Sequence, residues 1–278
     1  MGVVAAVQMN SGHVVEDNLV AAARLLREAK EQGADIACLP ENFAFMGKRD
    51  ADKLGVAEDA ASGPAQEFLA ATARELKMWI LGGTINIRHP GGRRVANASL
   101  LFDARGKCVA RYDKIHLFDV SIPGRNEDYR ESANVEPGSA LVVADTPVGR
   151  LGLSVCYDMR FPELYRVLVD QGAQWFSMPA AFTVPTGRAH WESLLRARAI
   201  ENLCLVVAPA QVGLHSSGRD TYGHSLIVDH WGKVLACLPE GPGVISATVD
   251  LAEQAAARER FPALTNRRLV AQPAQVRA

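Results

Sequence analysis

The chain has 278 residues, 48% of them hydrophobic and 22% charged, with 30 Lys and Arg against 31 Asp and Glu. That length buries a sizeable core without disulfide staples. A formal net charge of −1 with no block of like charges excludes the footprint of a nucleic-acid or polybasic membrane binder, and no apolar run is long enough to predict a transmembrane helix.

The opening Met1-Gly2-Val3-Val4 reads as the start of a first strand, Val3–Met9. It has no basic start and no small-residue cleavage site, and Ala6 breaks the myristoylation pattern. The periodicity then predicts a helix over Asn18–Gln32, with Leu19, Ala22, Ala23, Leu26 and Ala29 on one face and Gly33 closing it. A strand over Asp35–Leu39 ends at Pro40-Glu41, and Pro64–Lys77 reads as a helix with proline in its first turn. Trp79–Ile87 is expected as one strand, and Ala98–Phe102 pairs with Cys108–Tyr112 across a turn at Asp103–Gly106. Phe118–Ser139 is the longest loop-like segment, and loops of that length in compact domains are usually functional.

The second half repeats the grammar. Leu141–Ala144 and Arg150–Val155 flank a Pro147-Val148-Gly149 turn, Pro162–Gln171 is helical and Trp175–Met178 is a strand. A helix over Ala189–Asn202 leads to a strand at Leu203–Pro209. Ser225–Asp229 and Lys233–Leu238 form a hairpin, and Val244–Val249 precedes a last helix, Leu251–Arg260. Interleaved helices predict a covered sheet, whereas the hairpins exclude a purely parallel one. An α/β fold of two mixed sheets packed face to face satisfies both. No linker divides it, so one domain is expected over residues 1–278, with a tail from about residue 261.

The five cysteines (Cys38, Cys108, Cys156, Cys204, Cys237) are widely spaced and form no C-x-x-C pair, which predicts a reducing, cytoplasmic setting. Cys156 stands out because an apolar strand runs straight into it and a helix starts soon after, at Pro162. Such a strand-to-helix turn resembles a nucleophile elbow with a thiol in the nucleophile's place, and a helix N-terminus favours the thiolate. A buried structural cysteine is the other reading of the same segment. Glu41 just past one strand, Lys114 at the end of another and Glu131 in the long loop each read singly as solvated or snorkelling groups. Together they carry the chemistry of acyl transfer: a base for a thiol and an ammonium for a developing oxyanion.

Leu39-Pro40-Glu41, the run Tyr112–Phe118 and the run Cys156–Pro162 resemble the three catalytic motifs of the nitrilase (carbon–nitrogen hydrolase) superfamily, and the likeness extends from Val4 to about Asp250. The stretches Phe182–Glu192, Arg196–Glu201 and Tyr222–Asp229 resemble its Nit amidase branch. Within that branch Ala208–Gly213 and Tyr222–Ser225 look closer to the deaminated glutathione amidases than to the ω-amidases. The resemblance implies a four-layer α-β-β-α sandwich that forms a homodimer or higher homo-oligomer, without cofactor or metal. It implies Cys156 as nucleophile, Glu41 as general base, Lys114 as oxyanion stabiliser and Glu131 as a second glutamate that positions substrate or tunes Lys114. The Tyr157 backbone N–H would complete the oxyanion hole, and Arg160 and Thr186 would contact a substrate carboxylate. The expected reaction is hydrolysis of a primary amide of a small carboxylate-bearing molecule to acid and ammonia through a thioester. Deaminated glutathione is the expected substrate and α-ketoglutaramate the alternative. A non-catalytic binding protein on the same fold is the alternative of another class. Two departures stand out: Arg267-Arg268 runs into Leu269-Val270 where relatives carry an Arg-Pro-Asp-Leu-Tyr-like run, and Arg188 occupies a place where the branch often has proline.

Other chemistries lack their residues. The seven histidines show neither H-E-x-x-H nor Cys/His ligand spacing. The Gly152-x-Ser154 segment lacks the second glycine of a serine elbow, and no Gly-rich phosphate loop is present.

Overall fold

In the computed structural model, which describes residues 1–122 and 128–269, the first strand sets the layering. Gly2–Gln8 lies between Gly243–Val249, antiparallel to it, and Ile36–Cys38, parallel to it. Side chains alternate across a strand, and here both faces are buried. Ala5 and Val7 pack with Leu25, Leu26 and Leu69 of helices α1 (Val15–Glu31) and α2 (Pro64–Leu76). Val4 and Ala6 pack with Leu151, Leu153 and Val206 of a second sheet. The other side of that sheet carries Leu164, Leu168, Trp191 and Leu195 of α3 (Pro162–Asp170) and α4 (Val184–Asn202). The result is helices, sheet, sheet, helices.

The first sheet runs in the order Gly243–Val249, Gly2–Gln8, Ile36–Cys38, Trp79–Leu81, Val95–Phe102, Ile85–Arg88, with Cys108–Asp113 added on Val95–Phe102. The second runs Val234–Leu238, Ser225–Val228, Leu205–Ala208, Trp175–Ser177, Gly149–Leu153, Val143–Thr146. Helix α5 (Leu251–Arg260) comes after the first sheet's C-terminal strand. It is tied to segments beside the second sheet by Gln254 Nε2, which donates to Gln174 O at 2.6 Å and Leu203 O at 2.8 Å. Among the described residues no helix is long and apolar enough to cross a membrane.

Several elements differ from expectation. The single strand over Trp79–Ile87 is two, Trp79–Leu81 and Ile85–Arg88, because the backbone turns at Gly83 with φ +47°. A Cβ there would lie 2.0 Å from the Pro40 carbonyl oxygen, so only glycine lets these two segments touch. Helix α1 begins at Val15 and not at Asn18, whose side chain turns inward to bond the backbone of Gly12 and Ala44. Helix α4 begins at Val184 because Pro185 sits in its first turn, where no N–H is needed. The long loop holds a hairpin, Asp119–Ser121 with Asp128–Arg130, and a 3₁₀ turn at Glu131–Ala133. A second short hairpin, Val212–Leu214 with Asp220–Tyr222, was not anticipated. The divergent run from Val270 onward, half of the tail, lies outside the described residues.

Candidate active site

Three strand ends converge. Glu41 comes after Ile36–Cys38, Lys114 after Cys108–Asp113, and Cys156 after Gly149–Leu153. Glu131 arrives from the 3₁₀ turn of the long segment. Lys114 Nζ donates to Glu41 Oε1 at 2.9 Å and to Glu131 Oε2 at 2.9 Å. Asn97 Nδ2 bridges the same carboxylates at 3.1 and 3.3 Å, Ala181 N–H donates to Glu41 Oε2 at 3.0 Å, and Phe118 N–H to Glu131 Oε2 at 2.7 Å. Residue exposure is 3% for Glu41 and 2% for Lys114, which removes the readings of a solvated turn glutamate and a snorkelling lysine. Buried charges persist when paired and hydrogen-bonded, and every charge here is both.

Burial disfavours the Lys114 ammonium, but Glu131 and Glu41 outweigh it and hold the proton on well above the ordinary lysine range. For Glu131 burial again works against charge, and Lys114, then Lys53, then the Phe118 N–H bring its carboxyl below the ordinary range.

Cys156 is in the left-handed region, φ +48°, with its N–H donating to Pro179 O at 2.9 Å. This is the sharp strand-to-turn geometry of an elbow. The expectation of a thiolate favoured by the turn is corrected. Burial and then the Glu41 charge push the thiol well up, and Lys114 and the Ala181 N–H oppose them only in part. The elbow opens into a short 3₁₀ turn, Cys156–Arg160, and α3 starts only at Pro162, so little helix dipole points at the sulfur. The resting state is a neutral thiol beside a carboxylate able to take its proton. The Tyr157 N–H, in the same turn, donates to no protein acceptor among the described residues.

Asp158, fully buried, joins the elbow to the Lys114 segment. Its Oδ2 accepts from Tyr112 Oη at 2.7 Å and Val155 N–H at 2.8 Å, and its Oδ1 meets His116 Nδ1 at 2.7 Å. Burial and this carboxylate keep the Tyr112 phenol protonated as donor.

Glu41, Lys114, Glu131, Cys156 and Tyr157 all line one cavity, and Thr186 joins them. Thr186 shares a hydrogen bond with Thr183 Oγ1 at 2.8 Å. Arg160 is not among the lining residues. Its guanidinium lies over the rings of Tyr157 and Phe182, 5.7 and 5.3 Å from their centroids, with Nη1 3.3 Å from His190 Nδ1. The cavity opens into an outer vestibule that Arg188 lines. Sequence reasoning missed Asn97, Lys53 and Arg219. Asn97 had a signal, an amide inside the buried run Val95–Phe102, whereas Lys53 and Arg219 sit in polar segments that announce nothing.

A helix–sheet–sheet–helix sandwich with a carboxylate, an ammonium and a strained thiol at its strand ends defines a class, the hydrolases of carbon–nitrogen bonds. The chain belongs to the carbon–nitrogen hydrolase family, whose profile matches residues 3–259. It is 42% identical over 268 residues to the deaminated glutathione amidase of Yersinia enterocolitica, covering 96% of this chain and 93% of that one. To the protein of that name from Homo sapiens it is 42% identical over 273 residues, covering 95% and 82%. Among solved structures it is similar to Saccharomyces cerevisiae Nit3, with TM-score 0.86, 32% identity and 96% coverage of both chains. It is also similar to the Caenorhabditis elegans NitFhit protein, with TM-score 0.90 and 40% identity over 96% of this chain, which spans 65% of that one. The chain is an amidase of this family.

Proposed function

We propose that the chain hydrolyses the amide of a small carboxylate-bearing substrate through a thioester on Cys156. The observation that carries this reading is the burial of Glu41, Lys114 and Cys156 around one cavity, with Glu41 bound to the ammonium at 2.9 Å. Glu41 takes the thiol proton as sulfur attacks the carbonyl carbon. The oxygen's new charge meets Lys114 Nζ and the Tyr157 N–H, each donor worth a few kcal/mol. Glu41 returns the proton to the departing nitrogen, the C–N bond breaks, and a thioester remains. Water, deprotonated by Glu41, attacks it, and the acid leaves as the thiol is regenerated. Glu131 and Asn97 hold Lys114 and Glu41 in register throughout.

The names of the relatives support deaminated glutathione as the substrate. This changes one expectation. Glutathione is a tripeptide without a primary amide, so cleavage of its γ-amide releases the Cys-Gly amine and not ammonia. The leaving nitrogen therefore carries a chain, which the outer vestibule can receive. The test measures amine release from deaminated glutathione and ammonia release from α-ketoglutaramate, with wild type and Cys156→Ala. Cys156→Ala should lower kcat by about four to six orders of magnitude, with circular dichroism unchanged. Near-normal turnover by that variant would sink the mechanism, and faster turnover of α-ketoglutaramate would move the substrate to the ω-amidase side.

A homodimer is part of the same proposal. It is supported by exposed Trp231 and Phe261, whose rings meet edge to face at 5.6 Å. Sedimentation of wild type and Trp231→Glu tests it, the variant shifting toward monomer. The five unpaired thiols support a cytoplasmic location.

A further inference from the structure

We infer that Lys53 and Arg219 form the subsite that holds the acyl-side carboxylate of the substrate. Both residues line the catalytic cavity and the outer vestibule, so they stand at the neck joining the two. Lys114, the other amine in the cavity, is consumed by two carboxylates. Among the described residues neither Lys53 nor Arg219 has a carboxylate within ion-pair distance, although Asp50 also lines the neck.

Arg219 is fixed and yet incomplete. Its Nη2 donates to Ala181 O, its guanidinium lies 5.1 Å from the Tyr129 ring centroid, and its buried Nε has no hydrogen-bond partner. A guanidinium held at one corner with a donor unmet is set to complete its fork on a carboxylate. Ala181 also aims its N–H at Glu41, so the backbone of one residue links this cation to the general base. Lys53 is half-buried at the same neck, close enough to Glu131 to act on its charge. A cation pair this near the reacting carbon suits a carboxylate on the acyl half, which stays bound through both chemical steps. A carboxylate on the leaving half would depart with the amine.

The subsite rests on the proposed thioester mechanism, so the test includes a measurement that needs no turnover. Glutarate binding to the Cys156→Ala protein is measured by calorimetry, alone and with Lys53→Met, Arg219→Gln or Arg160→Met added. Lys53→Met and Arg219→Gln should each weaken glutarate binding about tenfold or more, with Arg160→Met close to the parent. No glutarate binding by the parent, or loss with Arg160→Met alone, overturns the subsite. Lys53 is half-exposed on a short 3₁₀ turn, so its variant keeps the test valid should Arg219→Gln fold poorly. In otherwise wild-type enzyme the two substitutions should raise KM by similar factors for deaminated glutathione and α-ketoglutaramate, which share the acyl half. A rise for deaminated glutathione alone would assign the pair to the leaving half instead. Cys156-independent turnover with glutarate binding intact would sink the thioester and leave the subsite standing.

Discussion

Glu131 illustrates how a single side chain sets a pH dependence. Its carboxyl is lowered in the folded protein, so the unfolded chain takes up the proton first as acid is added. Its stabilisation is complete above the unfolded value of about 4.3 and disappears as pH falls through the lower folded value. Glu131→Gln should therefore be less stable than wild type near neutrality by about 1.5–3 kcal/mol, the worth of hydrogen bonds to a charged group. Urea unfolding across about pH 3–7 should show that gap narrowing toward acid, where both proteins carry a neutral group. A gap constant with pH would mean Glu131 acts by packing alone. At this scale Glu41, Lys114, Glu131 and Cys156 were legible through motif likeness, since residue type and spacing leave each of them bland. The protonation state of Cys156 was not legible, because burial and the Glu41 charge are properties of the assembled site.

Elements place these side chains through a few contacts that periodicity cannot display. The break at Gly83 brings its turn against Pro40, and Thr84 Oγ1 then accepts the Asn42 N–H at 2.8 Å, which fixes the backbone just past Glu41. Gly83→Ala should cost about 2 kcal/mol or more, for positive φ and for a Cβ meeting a carbonyl oxygen. Gly92→Ala is the control, with φ +75° and nothing within 4 Å of its Cβ, and should cost only about 1 kcal/mol. Thermal unfolding of both separates strain from collision, and equal losses would deny the close approach. Tyr112→Phe removes one donor from buried Asp158 and loosens the elbow from the Lys114 segment. We expect a loss of about 1.5–3 kcal/mol and a lower kcat with KM little changed. Unchanged stability would show that His116 and Val155 suffice. Most strands were legible from apolar runs because both faces of each sheet are buried. The hairpin strands at Val212–Leu214 and Asp119–Ser121 were not, since three-residue strands of mixed polarity carry no period.

The molecule as a whole carries a formal charge of −1, so bulk charge does not draw an anion to it. The vestibule differs from the whole: among its described lining residues Lys48, Arg49, Lys53, Arg188 and Arg219 face Asp50, Asp128 and Asp220, although Arg49 is paired with Asp52 at 2.9 Å. Layer order was readable from the alternation of helices and hairpins, yet this concentration of cations was not. Its members come from segments more than a hundred residues apart that only the sandwich brings to one rim. A basic funnel over a low-dielectric cleft raises the encounter rate of an anionic substrate and does so less as salt is added. Raising ionic strength from about 0.01 to 0.3 M shortens the Debye length from ~30 Å to under ~8 Å. Over that range kcat/KM for a carboxylate-bearing amide should fall about three- to tenfold, with a neutral amide of the same length unaffected. Arg188 is exposed on the rim and contacts neither the thiol nor its partners, so Arg188→Glu should flatten the salt response while leaving kcat in place. An equal salt response for the charged and neutral amides would show that the rim cations act only on contact, and that selection for the carboxylate happens entirely at the neck.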